Sequence, residues 1–250
     1  MVSGAPHLAG IELRTVEFPR DDCYPFDIPA LRDCALTFAD PVTFFVGENG
    51  SGKSTLLEAV ARACDIHIWG TSKKHIAHHN PYETALAGYV GVEWVHGHVT
   101  GGLFSAETFR DRADFLDDVS LVDPGQLKYF GGRTITDQSH GQGMMTFFRG
   151  RYRIPGLYFL DEPEAALSPA TQLELCHVLA TLREQGHAQF VVATHSPILL
   201  GLPGADILSF ESAGVVPRSY EETAHYRLYR DFMSDPAAYL REFAPVGEKA

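Results

Sequence analysis

The sequence lacks the features that are typical of membrane proteins, secreted proteins and nucleic-acid-binding proteins. No apolar run approaches the roughly 18 residues that span a bilayer, and the opening MVSGAPHLAG has neither the basic nor the apolar region of a secretion signal. The four cysteines stand apart, with no C-x-x-C pair, as is typical of reduced cytosolic thiols. The net charge of −12 argues against a surface built for nucleic acid or an anionic membrane. We therefore expect a cytoplasmic protein without a transmembrane segment.

Strands and helices alternate along the chain. Buried strands are predicted at 42–46, 156–160 and 190–193, because each is a short run of apolar and β-branched residues. Helices are predicted at 54–63 and 170–184. Such alternation indicates an α/β fold with a mainly parallel sheet flanked by helices.

The remaining segments complete a single predicted domain over residues 1–250. A strand is expected at 11–18, and another from Val90 to about Val99, where Gly101-Gly102 would break it. The stretch from about 103 to 150 is rich in helical pattern and polar loop. We interpret it as a small helical subdomain inserted into the core.

A glycine-rich turn between the first buried strand and the first helix matches G-x-x-x-x-G-K-[ST]. Its residues are Gly47, Glu48, Asn49, Gly50, Ser51, Gly52, Lys53, Ser54 and Thr55. Backbone N–H groups and a helix N-terminus can hold phosphates there, Lys53 can reach the β- and γ-phosphates, and Ser54 can bind Mg²⁺. The turn predicts nucleotide binding.

Two carboxylates follow the strand Leu157–Leu160. Asp161 is positioned to bind Mg²⁺, and Glu162 to orient or deprotonate a water that attacks the γ-phosphate. Recognition of guanine through N-K-x-D is excluded, because the only asparagines, Asn49 and Asn80, precede Gly and Pro. The expected ligands are therefore ATP and Mg²⁺.

The order of these motifs resembles the ABC-type ATPases. GENGSGKST, then Ser139-His140-Gly141-Gln142, then LDEPEAALSP and finally ATHSP follow one another as in that family. The likeness extends to the stand-alone, AAA-family ATPases related to SMC and RecF proteins. It implies a P-loop ATPase head with Walker A and Walker B motifs.

The resemblance also implies roles for residues outside the phosphate loop. Ser139 and Gly141 match the signature motif that faces a γ-phosphate held by another protomer, and Gln142 matches its closing residue. His140 stands where the family has Gly, which puts that contact in doubt. Ala166–Pro169 matches the loop that crosses the dimer interface, and His195 matches the histidine that reaches the γ-phosphate and the attacking water.

Two family elements are weak. No Gln lies between Thr55 and Gly125, so a group near 94–104, or water, must replace the usual metal-shell glutamine. For stacking on adenine, Tyr24 is the best candidate and Phe26 the next.

The resemblance implies a soluble ATPase that dimerises transiently, head to tail, around ATP. The alternatives are the nucleotide-binding subunit of a membrane transporter and a compact DNA-associated ATPase, since the interval between Thr55 and Ser139 is too short for a coiled-coil arm beside the subdomain. An unidentified protein partner and nucleic acid both stay open. A modest basic cluster could contact phosphate, although a solvated face is the simpler interpretation: Lys128, Arg133, Arg149, Arg151 and Arg153.

Overall fold

The α/β prediction is confirmed by a computed structural model, which describes residues 4–68, 80–122, 125, 134 and 138–241. Its main sheet has six strands in the order β5-β6-β7-β3-β8-β9. The strands are β3 (Val42–Gly47), β5 (Gly101–Ser105), β6 (Gly156–Asp161), β7 (Ala188–Ala193), β8 (Asp206–Glu211) and β9 (Gly214–Pro217). All neighbours pair in parallel except β8 and β9. The carboxyl ends of β3, β5, β6 and β7 therefore meet at one edge.

A second, antiparallel sheet has three strands in the order β2-β1-β4. They are β1 (Leu8–Leu13), β2 (Ala35–Thr37) and β4 (Val90–Trp94). Its core-facing side chains pack with helix α1 (Lys53–Ala63) against one face of the main sheet.

Three further helices cover the opposite face of the main sheet. They are α3 (His140–Arg151), α4 (Pro169–Gln185) and α5 (Pro197–Leu200). Helix α2 (Phe109–Val122) lies beside α3 and also contributes to this core, whereas α6 (Ala224–Ser234) and α7 (Pro236–Arg241) bury none of their residues fully. Within the described part of the chain, no helix has both the length and the apolar content to cross a bilayer.

Two strand predictions were wrong at their ends. The first strand covers Leu8–Leu13, and Thr15–Glu17 turns away as a 3₁₀ helix instead of extending the strand to residue 18. The second strand ends at Trp94 instead of about Val99, and Gly101 and Gly102 open the next strand, β5, paired with Leu157 and Tyr158.

Glycine is required at this point because β5 and β6 approach closely. A Cβ on Gly101 would overlap the carbonyl oxygen of Leu157, and one on Gly156 would overlap that of Thr100. Glycine inside a strand commonly marks such an approach. Because β5 runs to Ser105, the first residues of the segment predicted as a helical insertion belong to the main sheet.

A buried glutamine ties the small sheet to the main one. Gln189 on β7 is fully buried, and its Oε1 accepts hydrogen bonds from the backbone N–H groups of His7 and Leu8, each at 2.7 Å. Its Nε2 donates to the carbonyl oxygen of Leu8 at 3.1 Å. A buried amide with partners on both ends is stabilising, whereas one without them is costly. Gln189 therefore fixes where β1 docks.

Candidate functional site

The loop from Gly47 to Gly52 connects β3 to α1 and needs glycine at both ends. Gly47 and Gly52 have φ values of +154° and +99°, which side-chain-bearing residues rarely adopt. A Cβ on Gly47 would lie 2.7 Å from the Phe210 carbonyl oxygen, and one on Gly52 would lie 2.8 Å from Cγ2 of Ile28. The loop is thus held open above the N-terminus of α1, where the helix dipole favours an anion.

Two side chains in and just after this loop could contact a bound phosphate. Lys53 is buried, and its Nζ donates to the carbonyl oxygens of Gly47 at 2.8 Å and Glu48 at 2.9 Å. Burial lowers the pKa of Lys53, while the nearby carboxylates of Glu162 and Asp161 oppose that shift. The hydroxyl of Ser51 is buried and has no hydrogen-bond partner among the described residues. A bound phosphate would supply the missing acceptor and an anionic partner for the ammonium group.

The predicted metal residues contact each other. Ser54 Oγ donates to Asp161 Oδ1 at 2.7 Å, joining the first turn of α1 to the end of β6. Burial raises the pKa of Asp161 to about 6, the Ser54 hydrogen bond lowers it, and the charge of Glu162 raises it again. The ionised form of Asp161 is therefore disfavoured, and a cation bound beside it would stabilise that form.

The pair suits Mg²⁺. A hydroxyl and a carboxylate are hard oxygen ligands, and Mg²⁺ in nucleotide sites takes few protein ligands beside phosphate and water. In the described part of the chain, no cluster of three or more His, Cys, Asp or Glu residues could hold a metal ion by itself. Such a sparse donor set fits a metal that arrives with a nucleotide.

The buried Asp161 carboxylate predicts a pH-dependent stability penalty. Because its pKa rises from 3.8 to about 6 on folding, ionisation opposes folding at high pH, and the penalty fades as pH falls through 6 towards 4. We expect Asp161→Asn to raise the free energy of unfolding by about 2 kcal/mol at pH 8 in metal- and nucleotide-free buffer. Denaturant titrations at pH 8 and pH 4 should show the gain shrinking. Equal gains at both pH values, or a similar gain in the exposed Asp114→Asn control, would contradict this assignment.

Glu162 follows Asp161 in a strained backbone conformation. Its φ of +47° lies in the left-handed region, which costs a non-glycine residue on the order of 1 kcal/mol. The backbone N–H of Glu162 donates to the carbonyl oxygen of Ala193 at 2.9 Å. The turn brings Glu162 Oε1 within 3.6 Å of His195 Nε2. Both residues that were predicted to act on the attacking water are therefore together.

His195 is held by a residue that the sequence did not single out. Glu164 Oε1 accepts the backbone N–H of His195 at 2.7 Å. The side-chain Nδ1 of His195 lies 3.1 Å from Nε2 of His225 on α6. The sequence offered one weak signal for Glu164, its place two residues after Glu162, and none for His225.

The signature residues open helix α3. The Ser139 hydroxyl accepts the Gln142 N–H at 3.4 Å, and Gln142 Oε1 accepts the Ser139 N–H at 3.3 Å, forming a capping box. Gln142 thus serves as a helix cap. A Cβ on Gly141 would lie 3.1 Å from the carbonyl oxygen of Ala166. The start of α3 and the loop before α4 therefore form one continuous surface.

His140 points into the subdomain instead of standing in the way of that surface. Its ring packs edge-on against Phe109 of α2, with ring centroids 5.5 Å apart. In the basic cluster, Arg149 pairs with Glu174 at 2.7 Å. Lys128 and Arg133 lie outside the described residues.

The two aromatic candidates for adenine differ in exposure. Tyr24 is 43% exposed, and its hydroxyl lies 3.2 Å from Thr55 Oγ1, at the end of the phosphate-loop motif. Phe26 is only 3% exposed and packs among Phe18, Tyr82 and Tyr89. The structure therefore assigns Phe26 to the core and leaves Tyr24 as the candidate.

The end of β5 is the part of the expected substitute segment that lies beside Asp161. The strand that ends beside Asp161 is β5, and Ser105 is the residue in register with Asp161. Ser105 lies one residue beyond the segment 94–104 in which we expected a substitute.

A cavity of about 670 Å³ adjoins the loop on the side of β8 and α6. Its lining includes Glu48, Asn49, Gly50, Ser51 and the end of β8, and the α6 side contributes His225 and Arg227. Tyr24 is not part of this lining. The loop is therefore open to a ligand on this side as well.

Two family models match parts of the chain. A model described as "AAA domain" matches residues 25–97, and one described as "AAA domain, putative AbiEii toxin, Type IV TA system" matches residues 146–201. The first match contains the phosphate loop, and the second contains Asp161, Glu162 and His195.

Two curated relatives align with about two thirds or more of the chain at 27–29% identity. The manganese transport system ATP-binding protein MntB of Bacillus subtilis (strain 168) is 29% identical over 184 residues, which are 66% of this chain and 70% of the relative. The energy-coupling factor transporter ATP-binding protein EcfA2 of Lactiplantibacillus plantarum is 27% identical over 207 residues, 74% of this chain and 68% of the relative.

Solved structures share the fold. The protein cbiO1 of Clostridium perfringens, titled as part of the ABC transporter complex cbiONQ, aligns with a TM-score of 0.51 at 16% identity, covering 93% of this chain and 98% of that one. A structure titled as an inward-facing conformation of a metal-chelate type ABC transporter aligns with a TM-score of 0.51 at 16% identity, covering 89% of this chain and 88% of that one.

Proposed function

Because the chain belongs among the ABC-type, AAA-domain proteins that bind ATP, we propose that it binds ATP with Mg²⁺, hydrolyses it, and dimerises head to tail around the nucleotide. One observation carries the hydrolysis proposal. Lys53, Ser54, Asp161, Glu162 and His195 come from three separate strand ends and meet at one edge of the sheet.

Each residue has a distinct role in this proposal. Lys53 and the loop N–H groups hold the β- and γ-phosphates, while Ser54 and Asp161 hold Mg²⁺, which would neutralise charge on the phosphate oxygens. Glu162 orients or deprotonates the attacking water, and His195 donates to the γ-phosphate or to that water. Tyr24 would stack on adenine, beside Thr55.

Dimerisation is supported by the arrangement of the signature helix. Ser139 lies at the N-terminus of α3, next to the loop that contains Ala166. That surface offers a hydroxyl and the N-terminus of a helix, which suit a γ-phosphate bound by a second copy. Two copies related by a two-fold axis would complete both sites at once.

The dimer is tested with a variant that keeps ATP intact. We expect Glu162→Gln with ATP and Mg²⁺ to shift from monomer to dimer in multi-angle light scattering, because hydrolysis no longer releases the γ-phosphate. Adding Ser139→Arg should abolish the shift, since the long side chain would occupy the phosphate-facing surface.

The matched control is Ser234→Arg in the same background, at the exposed end of α6. That variant should still dimerise. A Glu162→Gln protein that stays monomeric at high concentration with saturating ATP would contradict the sandwich.

The second candidate is the nucleotide-binding subunit of a transporter. It is favoured by the relatives, whose names describe ATP-binding proteins of transport systems. Such a subunit would need a membrane partner to dimerise, so persistent monomers that still hydrolyse ATP would favour it over a stand-alone ATPase. The proposed kinship with SMC and RecF proteins, the unidentified protein partner and contact with nucleic acid stay predictions.

A further inference from the structure

A second histidine stands directly behind His195. His225 lies in the first turn of α6, and its Nε2 is 3.1 Å from Nδ1 of His195. The two ring centroids are 5.3 Å apart and the planes are inclined by 51°, so the rings meet by their nitrogens instead of stacking. His195 therefore has one ring nitrogen on the phosphate side and the other on His225.

The helix that carries His225 is fastened to the segment that carries His195. The Tyr220 hydroxyl donates to the carbonyl oxygen of Pro197 at 2.8 Å. The buried Thr223 donates through Oγ1 to the carbonyl oxygen of Tyr220 at 2.7 Å. Thr223 Oγ1 also accepts the N–H of Tyr226 at 3.2 Å and so caps α6. These bonds fix the start of α6 relative to the end of β7, so the contact between the histidines is built into the fold.

One proton lies between the two imidazole rings, and it can come from either side. If His225 Nε2–H donates, the proton of neutral His195 must lie on its Nε2. If His195 Nδ1–H donates, its Nε2 carries a lone pair instead. Nε2 of His195 is 3.6 Å from Glu162 Oε1, so a lone pair there would face a carboxylate while a proton would be attracted to it. The geometry favours donation by His225.

The charged groups around this pair agree with that direction. Glu162 faces His195 Nε2, and Glu164 accepts the backbone N–H of His195. The charges that reach His225 are those of Glu48 and Lys53. Burial and then the neighbouring His195 lower the pKa of His225, which keeps it a neutral ring with a single proton to donate.

We infer that His225 is a positioning residue that fixes His195 in the tautomer with its proton on Nε2. The buried Nε2 of His195 has no hydrogen-bond partner among the described residues, so its N–H would be free for a phosphate oxygen. This use of the proton rests on the proposed function. The tautomer itself does not, because it follows from contacts within the chain alone.

The direct test is the ¹⁵N spectrum of the histidine side chains in the nucleotide-free protein. The His195 signals are assigned by their loss in His195→Asn. In the wild type we expect the Nε2–H tautomer of His195 as the main form at pH 8. In His225→Phe, which removes the donor but keeps a ring, we expect a mixture of tautomers. A wild-type His195 with its proton on Nδ1, or an unchanged spectrum in His225→Phe, would overturn the inference.

Kinetics then separate positioning from mere packing. We expect His225→Phe to lower kcat by about tenfold without changing ATP affinity, because the donor is misplaced only for the reacting phosphate. His225→Gln, whose amide keeps an N–H donor, should recover most of the loss. The surface control His177→Phe should leave kcat unchanged.

Different results would contradict the role of His225 and the proposed ATP hydrolysis. If Phe and Gln variants are equally slow, or KM rises with kcat unaltered, His225 acts through packing and the inference is wrong. If the wild type does not hydrolyse ATP, the proposed function is wrong, while the ¹⁵N spectrum still decides the tautomer. Should His225→Phe fail to fold, the wild-type spectrum and His225→Gln remain decisive.

Discussion

Glu162→Gln is expected to bind ATP as tightly as the wild type and to hydrolyse it at least about 100-fold more slowly. The carboxylate would act on the water only as the new bond forms, so its loss is felt in the transition state and not in the ground state. The side chain is positioned for this by the left-handed turn after Asp161 and by the 3.6 Å approach to His195. Gln keeps the size of Glu and cannot accept the proton.

Calorimetry for ATP affinity and single-turnover assays for kcat separate the two effects. The control is Glu174→Gln, which changes an exposed carboxylate that pairs with Arg149 on the surface. It should leave kcat as it is. An unchanged kcat in Glu162→Gln would transfer the role to another group, with His195 the first to test.

Lys53→Ala is expected to weaken ATP binding by about 100-fold, equivalent to about 2.7 kcal/mol. The ammonium group is buried at the mouth of the loop, where low dielectric strengthens its attraction to phosphate. Without ligand, the ammonium group donates to the carbonyl oxygens of Gly47 and Glu48. The variant should fold, because it removes a buried charge together with its desolvation penalty.

Isothermal titration with ATP measures this loss directly. Arg62→Ala provides the matched control: it removes a positive charge from the same helix, where Arg62 pairs with Glu58 at 2.6 Å away from the loop. Its ATP affinity should not change. Equal affinity of Lys53→Ala and the wild type would contradict the phosphate-loop assignment.

The order of residues within a short segment was enough to predict the strands and helices that depend on neighbouring residues alone. The strand before Gly47, the helix that begins at Lys53 and the strand that ends at Asp161 were all predicted within a residue or two. Each is a short apolar run or a helical stripe beside a strong turn signal. For the same reason the residues of the phosphate loop could be named from the sequence.

Contacts across the chain could not be predicted in this way. Gly101 looked like a strand breaker because its partner, Leu157, is remote in sequence. The hydrogen bond that Glu164 accepts from the backbone of His195 and the contact between the rings of His195 and His225 join elements whose adjacency only the folded sheet creates. A single sequence carries no periodic signal for such pairs.

The buried clamp of Gln189 on His7 and Leu8 has a consequence for the order of folding during synthesis. The strand at the beginning of the chain cannot take its final place until a glutamine 181 positions after Leu8 has been made. At 5–20 residues per second, that interval is about 10 to 40 s. Until then the apolar side of Leu8–Leu13 can pack only against elements made earlier, among them β2, α1 and β4, so the docking of β1 on β7 is a late step of synthesis.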